Sequence, residues 1–503
     1  MSRLPSPASA PDRFRRERRL VASIAILLLL FRSAPFLVWE QVLFESDEAV
    51  FGLMAQHIAQ GRAFPLFMYG QTYLLAVESW LAAPVFLVFG SSVLALRVPT
   101  FAVNVAITLL LLRQLERDAG LRPALALVPA LFFVLAPPVA AGHLLQAHGA
   151  SLGPLLWVPL LWVVRLRPNL AGAVLAVGVL HREFTAFGLV ALLAVELAQG
   201  TLVSRAGARR WFEMLRTAAF VWLLAQWLRT LAPAMGPDTR FEWRLAGHAS
   251  PFELAERFCF EWEAVSYGLW RLVTDHWPTI FGVRVEALDD YGFATAAWQG
   301  LPGAWILLAG SMLLAVLVVA VRLLRERRWR AEYSFCAYLF ATAVLSVAAY
   351  IFGTCGALDR MRYELLSLLG AAGLAAWFLV ATPPRAVRWA WLAITAAALL
   401  VGTLGTGRLL ADFIASPPPA EKHLIAKELE ARGVRYASAD YWLAYALTFL
   451  TRERVIVASE DLVRIEEYQR IVAAHRTESR RVSRHGCDQG HPIRGGVFLC
   501  PPR

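Results

Sequence analysis

Two neighbouring carboxylates follow the first apolar segment of the chain. Asp47 and Glu48 are adjacent, and a further acid, Glu78, lies in the same polar stretch. A positioned carboxylate can take a proton from a hydroxyl group, which is general-base catalysis. A structural role is the alternative, because Ser46 or Asp47 before the apolar run 49–58 is typical of a helix N-cap. For Asp47, spacing alone favours helix capping over catalysis. For Glu78, a water-facing position on a helix is the alternative to a catalytic role.

Several arginines are candidates for binding a phosphate group. A planar guanidinium binds phosphate through two parallel hydrogen bonds. Each candidate lies at the outer end of a predicted membrane helix, where an arginine that reaches toward lipid headgroups is also typical. The candidates are Arg97, Arg182, Arg360 and Arg362. As a set on one face, they favour a phosphate site.

The sequence His181-Arg182-Glu183 joins two short apolar segments. Two half-length helices that meet at charged residues indicate a broken hairpin beside a polar cavity inside the membrane. A short turn outside the membrane is the other interpretation. We include His181 with Arg182 among the candidate substrate-binding residues, whereas a solvated turn explains His143 and His148 better.

The composition is that of a membrane protein. Hydrophobic residues make up 58% of the chain and charged residues 17%, which excludes an ordinary soluble protein. The formal net charge of +11 would suggest nucleic acid as a partner of a soluble chain. Here the arginines cluster in short loops between apolar runs, as the positive-inside rule describes. We therefore predict membrane lipids, and no nucleic acid, as partners.

Apolar runs long enough to cross a bilayer predict an all-α, polytopic membrane domain over residues 20–408, with about eleven spans. The basic clusters place residues 1–19 in the cytoplasm and the C-terminus outside it. The predicted spans are near residues 20–38, 97–113, 123–141, 150–164, 169–181, 185–200, 213–232, 301–321, 331–352, 363–381 and 389–408.

Two large loops, 40–96 and 233–300, then face the non-cytoplasmic side. The first contains the acidic motif and two predicted interfacial helices, 47–60 and 74–89. The second is rich in aromatic residues mixed with charges, as expected of a segment that rests on lipid headgroups.

After residue 408 the pattern changes to that of a small α/β domain outside the cytoplasm. A helix is predicted at 421–432, and short strands at 434–439 and 455–458 flank a helix at 441–450. Cys487 and Cys500 both lie in this tail domain, residues 409–503. They are interpreted either as a disulfide or as two free thiols.

Short motifs follow one another in a fixed order over residues 47–99. The acidic pair is followed by the Tyr/Gly/Pro-rich segment 64–73, a small turn at 87–90, and Arg97-Val98-Pro99 at the start of the second span. This order resembles the N-terminal part of the GT-C superfamily of glycosyltransferases, which includes the protein O-mannosyltransferases, the aminoarabinose transferases of lipid A and the bacterial Rgt-like sugar transferases. Weaker resemblances lie at Arg360-x-Arg362-Tyr363 and over 436–451.

The resemblance implies a membrane glycosyltransferase that moves a sugar from a polyprenyl-phosphate donor to a glycan, lipid or protein acceptor outside the cytoplasm. It also implies that Asp47 is the general base, and we expect inversion at the sugar. Glu48 and Glu78 are the other catalytic candidates, and Tyr69 and Tyr73 are added to the substrate-binding set. Oligosaccharyltransferases of this superfamily use a metal, but the first loop has Asp-Glu in place of Asp-x-Asp. We therefore predict no cofactor, and a divalent cation is possible but not indicated.

Two other functions fit the same pattern. A non-enzymatic transporter or flippase of lipid-linked sugars would use the same cavity and the same arginines. A membrane scaffold with an external sensor domain would explain the tail, but it gives the acidic first loop no purpose. In each case the expected location is a bacterial plasma membrane, which the chain crosses several times.

Overall fold

Long apolar helices form the membrane part of the molecule. The structure is a computed structural model that describes residues 10–149, 152–231, 261–282, 304–326, 329–353 and 364–501, without the side chains of residues 10–13, 72, 73, 304 and 305. Five described helices are long and apolar enough to cross a bilayer, and a bent pair adds a sixth. The number of eleven spans therefore stays a prediction.

Helices lie at all the predicted spans. Those of the membrane part are α1 (Ala10–Val38), α4 (Val93–Arg117), α5 (Pro123–Val134), α6 (Pro138–Leu145), α7 (Leu152–Val164), α8 (Pro168–His181), α9 (Ala186–Ala198), α10 (Arg205–Thr230), α13 (Ala304–Glu326), α14 (Tyr333–Phe352), α15 (Ser367–Val380) and α16 (Arg385–Ala415). Within the second large loop, the structure describes α11 (Trp262–Arg271), a π-helical turn (Leu272–His276) and α12 (Trp277–Ile280).

One predicted span is wrong in shape. Residues 123–141 were expected to form one helix, but α5 and α6 meet at an angle of 82°. Pro137 and Pro138 lie at the junction. A proline has no backbone N–H to donate and disfavours the helical conformation in the residue before it, so the helix ends and restarts there.

The first large loop contains α2 (Ser46–Ala59), a hairpin of β1 (Phe67–Met68) and β2 (Gln71–Leu75), and α3 (Val77–Phe89). The predicted interfacial helix 74–89 begins later than expected, because the hairpin takes up Leu74 and Leu75. Gly70 turns the hairpin with a φ of +71°, a conformation that favours glycine. Leu87, Val88 and Phe89 at the end of α3 are exposed, as an interfacial helix requires.

The tail domain is an α/β unit, as predicted. It contains α17 (Glu421–Ala431), β3 (Tyr436–Ala439), α18 (Tyr441–Leu450), β4 (Ile456–Ser459), α19 (Glu466–Ala474), β5 (Arg480–Ser483), β6 (His491–Ile493) and β7 (Val497–Cys500). The strand order is β4-β3-β5-β7-β6, parallel around β3 and antiparallel at β7. Cys487 and Cys500 form a disulfide.

The tail domain packs directly on the first large loop. Phe51 of α2, Phe86 of α3 and Phe449 of α18 belong to one hydrophobic core. A side chain at Gly52 would meet the Phe449 ring at 2.6 Å, so the two helices approach closely there. Because they share a core, the first loop and the tail must lie on the same side of the membrane.

Candidate functional site

The acidic motif lies in the first turn of α2. The N-cap residue is Glu45, whose side chain does not cap the helix. Asp47 does not cap it either, because Asp47 is the second residue of the helix; its Oδ1 accepts a hydrogen bond from the hydroxyl group of Tyr441 in the tail. The capping interpretation is therefore wrong. The Asp47 side chain faces the boundary between the first loop and the tail, and the residue is partly exposed.

Glu48 and Arg97 form a buried ion pair. Nε and Nη2 of Arg97 donate to the two carboxylate oxygens at 3.0 and 2.8 Å. Arg97 also donates to the Phe36 carbonyl oxygen, and Glu48 accepts from the Ala147 amide. Both side chains are at most 1% exposed. Two residues predicted as catalyst and phosphate ligand thus bind each other, which gives both a structural role in this geometry.

Glu78 belongs to a second buried arrangement, with His181 and Trp157. Trp157 Nε1–H donates to His181 Nδ1 at 2.8 Å, and His181 Nε2 lies 3.1 Å from both oxygens of Glu78. Because Nδ1 accepts, the proton of a neutral imidazole must be on Nε2, where it is donated to Glu78. The structure therefore brings together two predicted site residues and fixes the orientation of the ring.

A short turn, residues 146–149, lies between these two groups. The Ala147 amide binds Glu48, and His148 Nε2 lies 3.9 Å from Glu45. Next in the chain, Gly149 has a φ of +70°, and a side chain there would meet His181 at 2.9 Å. The acidic motif and the Glu78–His181 pair are thus neighbours, with this turn as a common wall. His143 and His148 both contact Gln146 in it.

Among the predicted phosphate ligands that the structure describes, Arg182 has unused donor capacity. It is 8% exposed, and its Nε is buried without a hydrogen-bond partner in the described part of the chain. Its nearest acid is the exposed Glu183, at 3.8 Å. Arg360 and Arg362 lie outside the described residues. For Tyr73 the backbone is described in β2, but the side chain is not.

Tyr69 takes part in a network that ties the first loop to the tail. Its hydroxyl lies 2.9 Å from His57 Nδ1, and His57 Nε2 lies 3.1 Å from Glu453. Burial alone would raise the pKa of Glu453, but hydrogen bonds from His57, Arg62 and Tyr468 outweigh it and lower that pKa to about 2. Glu453 is thus held as an anion at the boundary.

A second polar pair lies in the membrane part. His276 Nδ1 and Glu364 Oε1 are 2.6 Å apart, and both side chains are buried. Trp277 and Ser367, close to this pair in sequence, line an apolar groove of about 490 Å³ formed mainly by α13, α14 and α15. This pair is not among the residues predicted from the sequence, although Glu364 follows the Arg360-x-Arg362-Tyr363 motif directly.

Sequence reasoning also missed the site residues of the tail. Lys422 donates to the Phe44 carbonyl beside the acidic motif. Burial lowers the pKa of its amine to about 8, against the opposing effect of Glu45. Lys422 is one of only two lysines in the chain, the other being Lys427, and this rarity could have marked it as a candidate from the sequence. No comparable feature of the sequence marks Tyr441 as a site residue.

Three carboxylates of the first loop each have a hydrogen-bond partner within the protein. In the described part of the chain, three or more metal-ligating side chains nowhere converge on one point. Glu48 is bound to Arg97, Glu78 to His181, and Asp47 to Tyr441. Each of these three carboxylates is thus hydrogen-bonded to a protein group, and the absence of a metal stays a prediction.

The arrangement of membrane helices, first-loop helices and tail is similar in fold to that of a solved oligosaccharyltransferase. The apo structure of the Archaeoglobus fulgidus oligosaccharyltransferase matches 93% of this chain and 69% of its own, with a TM-score of 0.51 and 12% identity. At this identity, the similarity is one of fold.

Two further solved structures are similar. AglB from Archaeoglobus fulgidus, in complex with an inhibitory peptide and a dolichol-phosphate, has a TM-score of 0.46 and 12% identity over 93% of this chain and 69% of that one. ArnT from Cupriavidus metallidurans, bound to undecaprenyl phosphate, has a TM-score of 0.40 and 14% identity over 90% of this chain and 87% of that one. No protein-family model and no curated protein matches the sequence.

Proposed function

We propose that this chain is an inverting membrane glycosyltransferase that moves a sugar from a polyprenyl-phosphate donor to an acceptor on the non-cytoplasmic side, with Asp47 as the general base. One observation carries the proposal. Glu45, Glu48 and Glu78 are buried, whereas Asp47 is partly exposed. Of the four acids, Asp47 can therefore meet an acceptor that enters from solvent. The fold, shared with an oligosaccharyltransferase, supports this class of reaction.

The reaction needs a base and a place for the departing anion. Asp47 takes the proton of the acceptor hydroxyl while that oxygen bonds to the anomeric carbon of the sugar. The bond from the anomeric carbon to the phosphate oxygen breaks on the opposite face, and its electron pair leaves with the polyprenyl phosphate. Attack opposite the leaving group inverts the configuration.

Arg182 is our candidate ligand for the phosphate. A largely buried guanidinium with an unused Nε–H loses hydrogen-bonding energy unless an acceptor arrives, and a phosphate oxygen supplies one. Arg360 and Arg362 remain predicted partners in this role. Arg97 is unsuited to it, because its donors already go to Glu48 and Phe36.

The groove between α13, α14 and α15 is our candidate site for part of the polyprenyl chain. Its walls are apolar side chains such as Leu308, Met312 and Phe340. An isoprenoid is apolar along its length, so a half-open groove among membrane helices can receive it from the bilayer.

The test uses the full-length protein in lipid nanodiscs. Polyprenyl phosphates that carry radiolabelled mannose, glucose, galactose or arabinose are offered with envelope extract as acceptor, and labelled product is counted. Loss of a general base costs about 10²- to 10⁴-fold in rate, so we expect Asp47→Asn to lose transfer to that extent. Glu460→Gln, which changes an exposed tail acid, is the matched control. Unreduced transfer by a folded Asp47→Asn protein overturns the proposed role, and transport of the lipid without transfer favours the flippase.

A further inference from the structure

The tail contributes a side chain to the surroundings of Asp47. Tyr441 is the first residue of α18, and its phenol is 2% exposed. Its hydroxyl group donates to Asp47 Oδ1. Asp47 is therefore bonded by a residue that lies 394 positions later in the chain.

The position of Tyr441 is itself fixed from both sides of the boundary. Arg464 Nε lies 3.5 Å from the Tyr441 hydroxyl oxygen, and its guanidinium lies 5.7 Å from the centre of the ring. The Gln71 amide oxygen, in the orientation that satisfies hydrogen bonding, accepts from both terminal nitrogens of Arg464 at 2.7 and 2.9 Å. A side chain at Gly70 would meet the Arg464 backbone at 3.0 Å, so the hairpin and Arg464 fit closely.

We propose that Tyr441 is a positioning residue for sugar transfer, through which the tail domain orients the Asp47 carboxylate. This inference rests on the proposed function. By holding Oδ1, Tyr441 leaves Oδ2 of Asp47 to receive the acceptor proton; no hydrogen bond to Oδ2 occurs in the described part of the chain. The tail is thus part of the active site.

The protonation of Tyr441 suits this role. Burial raises the pKa of its phenol well above the ordinary value, the Asp47 charge raises it further, and Arg464 only partly opposes this. The hydroxyl group therefore stays a donor throughout the working pH range. A carboxylate held by such a donor keeps one rotamer, which is the geometric precondition for taking a proton in the transition state.

The test compares two buried tyrosines. Tyr441→Phe removes the donor to Asp47, whereas Tyr468→Phe removes a donor to Glu453, the carboxylate that ties the tail to the first loop. In the full-length protein, with the radiolabelled polyprenyl-phosphate sugars named above, we expect Tyr441→Phe to lower kcat about tenfold or more with KM unchanged. Tyr468→Phe should lower thermal stability and leave kcat within about twofold of wild type. Equal kcat for Tyr441→Phe and wild type, or equal losses in both variants, overturns the inference.

A chemical readout separates this inference from the proposed function. Carbodiimide labelling of Asp47, measured by mass spectrometry without any substrate, reports on its carboxylate alone. We expect the labelling rate to rise several-fold in Tyr441→Phe and to stay unchanged in Tyr468→Phe, because only the first variant frees Oδ1. Equal labelling in wild type and Tyr441→Phe contradicts the contact. If labelling rises but Asp47→Asn still transfers sugar, the contact stands while Asp47 is not the base, and the positioning role falls with it.

Discussion

Replacement of Glu48 by glutamine separates a structural from a catalytic role for this acid. Glu48 accepts two hydrogen bonds from Arg97 and one from Ala147, and its carboxylate is fully buried. Glutamine keeps the shape but removes the charge, and it turns an NH₂ group toward the guanidinium. Arg97, at 1% exposure, then keeps the Phe36 carbonyl and one amide oxygen as acceptors, but it loses the third acceptor and its counter-charge.

The size of the effect follows from the burial. Removal of one partner of a buried ion pair typically costs about 3–5 kcal/mol, because the other charge stays uncompensated. We expect a loss of that size in Glu48→Gln and a similar loss in Arg97→Met. The double variant should lose less than the sum of the two, because it leaves no unpaired charge.

The assay is thermal unfolding of the full-length protein in one detergent, with transfer measured on the folded fraction. The expected order of stability is wild type, then the double variant, then both single variants. Transfer per folded molecule should fall less in Glu48→Gln than in Asp47→Asn. A Glu48→Gln protein as stable as wild type but inactive would refute the structural role and restore Glu48 as a catalyst.

Two further predictions concern the tail. The folded-state pKa of Glu453, about 2, lies below its ordinary value of 4.5, so its ionised form stabilises the fold above about pH 4.5, and this contribution is lost as pH falls toward 2. Glu453→Gln should lower the free energy of unfolding by up to about 3 kcal/mol at pH 7. Unfolding experiments should show that this difference from wild type shrinks by about half or more at pH 3. A difference that is the same at both pH values contradicts the network. The Cys487–Cys500 disulfide closes a loop with a sequence separation of 13, and its removal should lower the free energy of unfolding by about 3 kcal/mol. A Cys487→Ser/Cys500→Ser protein with the melting temperature of wild type would show that the disulfide is dispensable.

The elements were predictable because local pattern determines them. The acids and the apolar run after them indicate α2, and the alternation of strand and helix signals after residue 420 indicates the tail. Pro137 and Pro138 indicate a bend, but the length of the apolar run 123–141 favours a single span. The hairpin was missed because only Gly70 marks its turn.

The pairings within the site were not predictable. Glu48 and Arg97 are 49 positions apart, and Asp47 and Tyr441 are 394 apart. A sequence shows which residues can take part in chemistry, but the partner of a buried charge depends on how distant elements pack. Residue type alone therefore marks Glu48 and Arg97 as candidates with separate roles, although each is the other's counterion.

The roles proposed for Asp47 and Tyr441 all require the first loop and the tail to face the non-cytoplasmic side together. Single cysteines at three exposed positions test this: Gln60 in the first loop, Ala431 in the tail, and Arg117 at the C-terminal end of α4. Intact cells are treated with a membrane-impermeant maleimide, and the parent chain gives the background. We predict labelling at positions 60 and 431, and at 117 only after the membrane is permeabilised. Labelling at 431 without 60, or at 117 in intact cells, would contradict the topology and the proposed chemistry with it.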